Sequence, residues 1–118
     1  MNTLKSIGLA TALVAVLATS PAQAQFVADA PALTSVQKLL ETGKNHDRVA
    51  LEGNVVKMLW HEKYIFKDAT GEVKIKIDDK LLYGKPIDPK TKVRIEGEFE
   101  REFMETDEVE VKEIFVIR

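Results

Sequence analysis

The 118-residue chain contains no cysteine, two histidines and a single serine after residue 24. Without cysteine it has no disulfide, no thiol nucleophile and no thiolate metal ligand. Ser35 stands at a predicted helix start, so a serine–histidine catalytic pair has no credible nucleophile. His46 and His61 lie far apart in the sequence, and no cluster of ligands has the spacing of a metal site. We therefore expect no catalytic residues, no metal site and no cofactor.

Long hydrophobic runs are also missing, apart from residues 7–18 near the N-terminus. This run is too short to span a bilayer, which needs about 20 apolar residues. Lys5 precedes the run and small residues follow it, a pattern typical of an export signal that is cleaved after Ala24. An uncleaved anchor helix is the alternative. The predicted organisation is a signal peptide at 1–24, a flexible leader at 25–33 and one domain at 34–118, with no membrane span in the mature chain.

The spacing of apolar residues indicates one short helix and five strands. The segment 34–42 has apolar residues at helical spacing, a threonine or serine that can cap its start, and Gly43 where a helix ends. Five later segments alternate apolar and polar residues, which indicates strands with one buried and one solvated face. They are 49–55, 63–67, 73–77, 93–100 and 109–117. In the last segment the apolar residues change face near Lys112 and Glu113, which predicts either a β-bulge or burial of both faces.

The second and third strands are predicted to form a hairpin with a defined register. A four-residue loop at 68–71 pairs Phe66 with Val73 and keeps the apolar residues of both strands on one face. A three-residue loop would put the two faces out of phase, which is costly when one face is buried. We expect a type I turn in this loop, with Gly71 at positive φ.

Five short strands with a solvated outer face must hide two sheet edges, and closing into a barrel does this. Gly53 and Gly97 lie inside the first and fourth strands, where glycine is typical of a sharp bend or a close backbone approach. The sequence therefore predicts an all-β fold with a short N-terminal helix, as a five-stranded OB-fold barrel. The alternative is an open antiparallel sheet packed by the helix.

Four segments of the chain resemble a known family. They are Leu51–Val55, Tyr64–Val73, Ile77-Asp78 and Val93–Glu98. In these segments the chain is similar to the bacterial OB-fold (BOF) family, of the YgiW/YdeI type of periplasmic stress-tolerance proteins. The resemblance implies a periplasmic barrel with no known catalysis, associated with tolerance of envelope stress and with contacts to cell-wall sugars or envelope proteins.

Lysines dominate the outer face of the predicted hairpin. With the register above, Lys63, Lys67, Lys74 and Lys76 lie on the face where OB-folds usually bind their ligands. We interpret these lysines as a candidate site for an anionic ligand. The alternative is a solvated strand face that binds nothing.

Large apolar residues in two predicted loops extend this candidate site. Trp60 lies between the first and second strands, and Phe103 and Met104 lie between the fourth and fifth. Such side chains either cap the barrel or contact a ligand or partner.

A nucleic-acid ligand is not expected, because the chain is net acidic and the predicted hairpin places Tyr64 and Phe66 inward. We expect a non-catalytic periplasmic binding or adaptor protein that contributes to envelope stress tolerance. Its expected partner is an anionic ligand, a cell-wall fragment or an envelope protein. The alternative is a small enzyme or accessory subunit that acts on cell-wall material.

Overall fold

The structure is a computed structural model that describes residues 30–101 and 106–118. Its elements are α1 (Val36–Thr42), β1 (Arg48–Trp60), β2 (Lys63–Asp68), β3 (Gly71–Lys76), a 3₁₀ helix (Asp79–Leu82), β4 (Lys92–Glu100) and β5 (Glu108–Val116). Within these ranges no helix has the length and apolar character needed to cross a membrane. The predicted signal peptide and residues 25–29 of the predicted leader lie outside the described residues.

The five strands close into a barrel in the order β1-β2-β3-β5-β4, with β4 returning to β1. β3 and β5 run parallel where they meet, and the other neighbours are antiparallel. This closure confirms the predicted five-stranded OB-fold barrel. β1 belongs to both halves of the barrel, because residues 48–54 pair with β4 and residues 54–60 pair with β2. Bulges at Val56 and Leu59 bend its second half.

Both strand glycines stand where another backbone approaches closely, as their position inside strands indicated. A Cβ added at Gly97 would lie 2.0 Å from the carbonyl oxygen of Glu110, and one at Gly53 would lie 2.3 Å from that of Lys67. Next to Gly97, the register of β4 against β5 skips Lys112. This is the predicted bulge, and beyond it Ile114 is buried while Phe115 is exposed.

The hairpin register is confirmed pair by pair, from Lys63 opposite Lys76 to Lys67 opposite Glu72. Asp68 and Gly71 also pair, so the turn itself is Ala69-Thr70. The expected positive φ at Gly71 is wrong: among the described glycines only Gly84 has one. The Asp68 carboxylate explains the difference, because one of its oxygens accepts hydrogen bonds from the backbone N–H groups of Thr70 and Gly71 and from the Thr70 hydroxyl. That set of bonds closes the turn without a left-handed residue.

Side chains from all five strands form the core, and α1 packs on β3 with Val36 and Leu39 buried. Among the described side chains, the largest fully buried ones are Phe66 and Phe99. Of the two predicted caps, Thr34 and Ser35, it is Ser35 that caps the helix, by accepting a hydrogen bond from the Lys38 N–H. Ahead of the helix, Leu33 forms a parallel bridge with Ala50 of β1. The last residue of the predicted leader is therefore attached to the barrel.

Candidate functional site

The outer surface of β1, β2 and β3 carries three of the four predicted lysines, Lys63, Lys74 and Lys76, in two rows that cross the strands. In one row Lys57 of β1 lies opposite Ile65, and Ile65 lies opposite Lys74. In the next row Trp60 lies opposite Lys63, and Lys63 lies opposite Lys76. The parallel contact of β3 with β5 then places Glu108 beside Lys74 and Glu110 beside Lys76.

Glu108 neutralises the centre of this lysine surface. Its side chain is 11% exposed, and its two carboxylate oxygens lie 2.7 and 2.8 Å from the Lys63 ammonium. The Lys74 ammonium lies 3.4 Å from one of the same oxygens. A buried carboxylate needs such partners, because its desolvation is costly. Lys63 and Lys74 are thus engaged within the protein, which the sequence analysis did not foresee.

Trp60 is placed by the structure at the end of β1 and not in a loop, so the sequence assignment of this residue was wrong. β1 continues through the two bulges to Trp60, and the turn that follows is only His61-Glu62. The indole is 59% exposed, so it does not cap the barrel interior. The Lys74 ammonium lies 6.0 Å from the centre of the ring, at the outer limit of a cation–π contact.

A groove of about 450 Å³ opens beside Trp60, lined by residues of α1, β1, β2 and β3 and by the segment just before β5. Most of its lining is apolar, and the acidic side chains of Glu72 and Asp107 are also part of it. The lining residues are Leu40, Leu59, Trp60, Ile65, Glu72, Val73, Lys74, Thr106 and Asp107. We call this the Trp60 groove. Phe103 and Met104, the other two apolar residues predicted for the site, lie outside the described residues.

Lys67 is separated from the Trp60 groove. It is exposed and lines a second depression, of about 370 Å³, together with Asn54 and Lys92. Asn54 is opposite Lys67 on one side and opposite Lys92 on the other, so the two lysines flank it. Its amide group donates to the carbonyl oxygens of Pro89 and Thr91, at 3.1 Å each. The predicted lysine cluster is therefore divided between different surroundings.

The turn after Trp60 brings Glu62 close to Asp79, so two carboxylates act on the titratable groups beside it. A hydrogen bond to Asp79, helped by the charge of the same carboxylate, raises the pKa of His61. Burial, together with the charges of Asp79 and Glu62, raises the pKa of Tyr64. Tyr64 and Phe66 both pack against the core, as predicted, so β2 presents no aromatic ring on its outer face.

A closed barrel of this strand order, with a groove on the outer face of its second and third strands, defines an OB-fold protein. Within that class the chain belongs to the bacterial OB-fold family: the family described as "Bacterial OB fold (BOF) protein" matches residues 13–116. This confirms the resemblance found in the sequence. The family match also covers the described barrel, from the segment before α1 to the end of β5.

Individual relatives agree with this assignment. The chain is 34% identical to an uncharacterised protein of Haemophilus influenzae over 92 residues, covering 78% of this chain and 75% of the relative. It is 35% identical to the calcium-regulated OB-fold protein CarO of Pseudomonas aeruginosa over 88 residues, covering 75% and 74%. The solved structure of the hypothetical protein YgiW from E. coli superposes with a TM-score of 0.69 at 31% identity, covering 73% of this chain and 90% of that one.

Proposed function

We propose that the protein is a non-catalytic periplasmic binding or adaptor protein that contributes to envelope stress tolerance through contacts in the Trp60 groove. The observation that carries this proposal is the exposed indole of Trp60 beside a largely apolar groove on the outer face of the barrel. OB-folds bind their ligands on this face. An exposed tryptophan at a groove is also typical of binding hot spots.

The charges on the outer surface of β1, β2 and β3 favour a ligand with an apolar surface over an extended polyanion. Glu108 engages two of the four predicted lysines, and Lys67 lies in a different depression. Glu72 and Asp107 add negative charge to the groove. Nucleic acid is a poor partner for such a surface, since its binding depends on many uncompensated cationic groups. A cell-wall fragment or an envelope protein fits better, and these are the partners that we propose.

Co-purification from the bacterial envelope tests the proposal. Wild-type protein is compared with Trp60→Ala, and with Phe115→Ala as a control that removes an exposed aromatic ring that does not line the Trp60 groove. We expect one partner, either an envelope protein or a cell-wall fragment, to be recovered with wild type and Phe115→Ala and to be reduced at least about tenfold with Trp60→Ala. Equal recovery of the partner with all three proteins would contradict binding in the Trp60 groove.

Incubation with purified peptidoglycan separates a binding protein from the enzyme alternative. Retention of the protein without released soluble fragments supports binding, whereas turnover of the polymer contradicts the non-catalytic assignment. The proposed location is tested independently by fractionation. A periplasmic protein that starts near Gln25 is expected, and recovery of the uncleaved chain from the inner membrane would contradict export in the proposed form.

A further inference from the structure

Three potential metal ligands converge at the end of the barrel next to Trp60. His61 and Glu62 form the turn between β1 and β2, and Asp79 is the first residue of the 3₁₀ helix. One ligand atom from each side chain lies within 4.8 Å of the other two. The His61 Nε2 atom is 2.7 Å from a carboxylate oxygen of Asp79. These two side chains are 73% and 49% exposed, so an ion from solvent can reach them.

The backbone holds the two segments together. The carbonyl oxygen of Glu62 accepts a hydrogen bond from the Ile77 N–H at 2.9 Å. One carboxylate oxygen of Glu62 accepts a hydrogen bond from the Asp79 N–H at 3.1 Å, which leaves the second oxygen for another partner. The cluster therefore joins two regions of the chain that are 17 residues apart, and the fold, not the local sequence, creates it.

We propose that His61, Glu62 and Asp79 form a surface binding site for Zn²⁺ or a similar divalent transition-metal ion. A neutral imidazole together with carboxylates is a donor set suited to zinc, whereas calcium and magnesium prefer oxygen ligands alone. Three protein ligands leave the fourth position of a tetrahedral ion for water or for a group of a bound molecule.

The dimensions of the cluster suit such an ion. Metal–ligand bonds of about 2.0–2.1 Å place the donor atoms of a tetrahedral zinc site about 3.3 Å apart. In the present structure the His61 Nε2 atom lies 2.7 Å from the Asp79 carboxylate, and no two of the three ligand atoms are more than 4.8 Å apart. Small rotations of exposed side chains are enough to reach the tetrahedral separation. The carboxylates of Glu62 and Asp79 also give this end of the barrel negative charge, which attracts a cation.

A second cluster within the described ranges, formed by Glu98, Glu100 and Glu110, differs from this site by containing only carboxylates. It lies on the outer face of β4 and β5, where it serves as a natural control. The other histidine of the chain, His46, lies 3.5 Å from Glu98 of that cluster. Replacing His61 therefore tests the proposed site, and replacing His46 tests the all-carboxylate cluster.

Calorimetric titration of the untagged protein with ZnCl₂ tests the proposal, with His61→Ala and His46→Ala as matched variants. We expect one zinc ion per chain. We also expect affinity at least about tenfold weaker in His61→Ala, within twofold of wild type in His46→Ala, and intermediate in Asp79→Asn. Both histidines are exposed, so neither replacement removes core packing. Excess CaCl₂ should not displace the zinc.

The only tryptophan of the chain provides a second readout, because Trp60 directly precedes His61. Ni²⁺ should quench its fluorescence in wild type and in His46→Ala, and not in His61→Ala. Absence of zinc binding at millimolar concentration, or equal loss of affinity in both histidine variants, would overturn the proposal. The proposal does not depend on the Trp60 groove, so failure of the co-purification experiment would leave it standing.

Discussion

The carboxylate of Asp68 accepts a hydrogen bond from the backbone N–H of Val36 at 2.9 Å, although 32 residues separate the two. Val36 is the first residue of α1, and the hydroxyl of Thr70 accepts from the next N–H, that of Gln37, at 3.0 Å. Ser35 accepts from the third, that of Lys38. The N–H groups that a helix start leaves without partners are therefore satisfied largely by a hairpin turn from the middle of the chain.

Replacement of Asp68 tests this double role. Asp68→Ala removes both the cap of α1 and the bonds that close the hairpin turn, so we expect a loss of about 1–2 kcal/mol in the free energy of unfolding. Urea denaturation followed by circular dichroism measures it. Asp88→Ala is the control, because Asp88 accepts similar bonds from Lys90 and Thr91 within its own turn. A loss as large in Asp88→Ala would show that turn closure alone, without the contact to α1, accounts for the effect.

The same carboxylate predicts a pH dependence. Burial of Asp68 opposes its ionisation, but hydrogen bonds from Thr70, Val36 and Gly71 outweigh burial and lower its pKa. A pKa that is lower in the folded than in the unfolded chain adds stability above the unfolded value of about 3.9, and this stability is lost as the pH falls through the folded value. The gap in unfolding free energy between wild type and Asp68→Ala should therefore be constant from pH 7 to about 5 and narrow below about 4. A gap that widens on acidification would contradict this assignment.

Glu108 is expected to matter more for stability than either of its lysine partners. Glu108→Gln leaves two half-buried ammonium groups without their counter-ion, and we expect a loss of about 1–3 kcal/mol in chemical denaturation. Lys63→Gln leaves Glu108 with Lys74, so its effect should be smaller. Lys76→Gln, on the same face, should stay within about 0.5 kcal/mol of wild type. An effect of Lys63→Gln equal to that of Glu108→Gln would indicate that the pair, and not the triad, is the stabilising unit.

Two glycines give a matched test of close packing. A methyl group at Gly97 would meet the Glu110 carbonyl at 2.0 Å, a contact that only a backbone shift can relieve. Gly97→Ala should therefore destabilise the barrel by about 3 kcal/mol or more, or prevent folding. At Gly71 the same methyl group meets only the side chain of Val36, at 3.5 Å, and φ is not positive. Gly71→Ala should fold with nearly unchanged thermal stability, and an equal loss in both variants would argue against the steric explanation.

The sequence was sufficient for the fold because the barrel is built from strands whose alternation is local. The hairpin register and the bulge at Lys112 each follow from keeping apolar side chains on one face, a constraint that operates within a few residues. Gly53 and Gly97 indicated a close approach of a neighbouring backbone, because a glycine inside a strand can also be recognised from the local sequence. The positive φ expected at Gly71 failed because a side chain, that of Asp68, closes the turn instead.

The site was less accessible to sequence reasoning, because its decisive contacts join distant parts of the chain. Glu108 reaches Lys63 and Lys74 only through the parallel contact of β3 with β5, and nothing in the alternation around Glu108 indicates that pairing. Asp79 reaches His61 only because the 3₁₀ helix follows β3 back to the turn. Trp60 was assigned to a loop because the two bulges of β1 interrupt its alternation, so the strand looks shorter than it is.

The position of β5 in the barrel has a consequence for the order of events in biosynthesis. This strand follows the other four in the sequence, and it joins β3 to β4. While residues 108–116 are still within the ribosome, β3 and β4 each lack one of their two neighbouring strands. The barrel cannot close in that state. The barrel therefore closes only after β5 has been synthesised, because its long-range pairings depend on that strand.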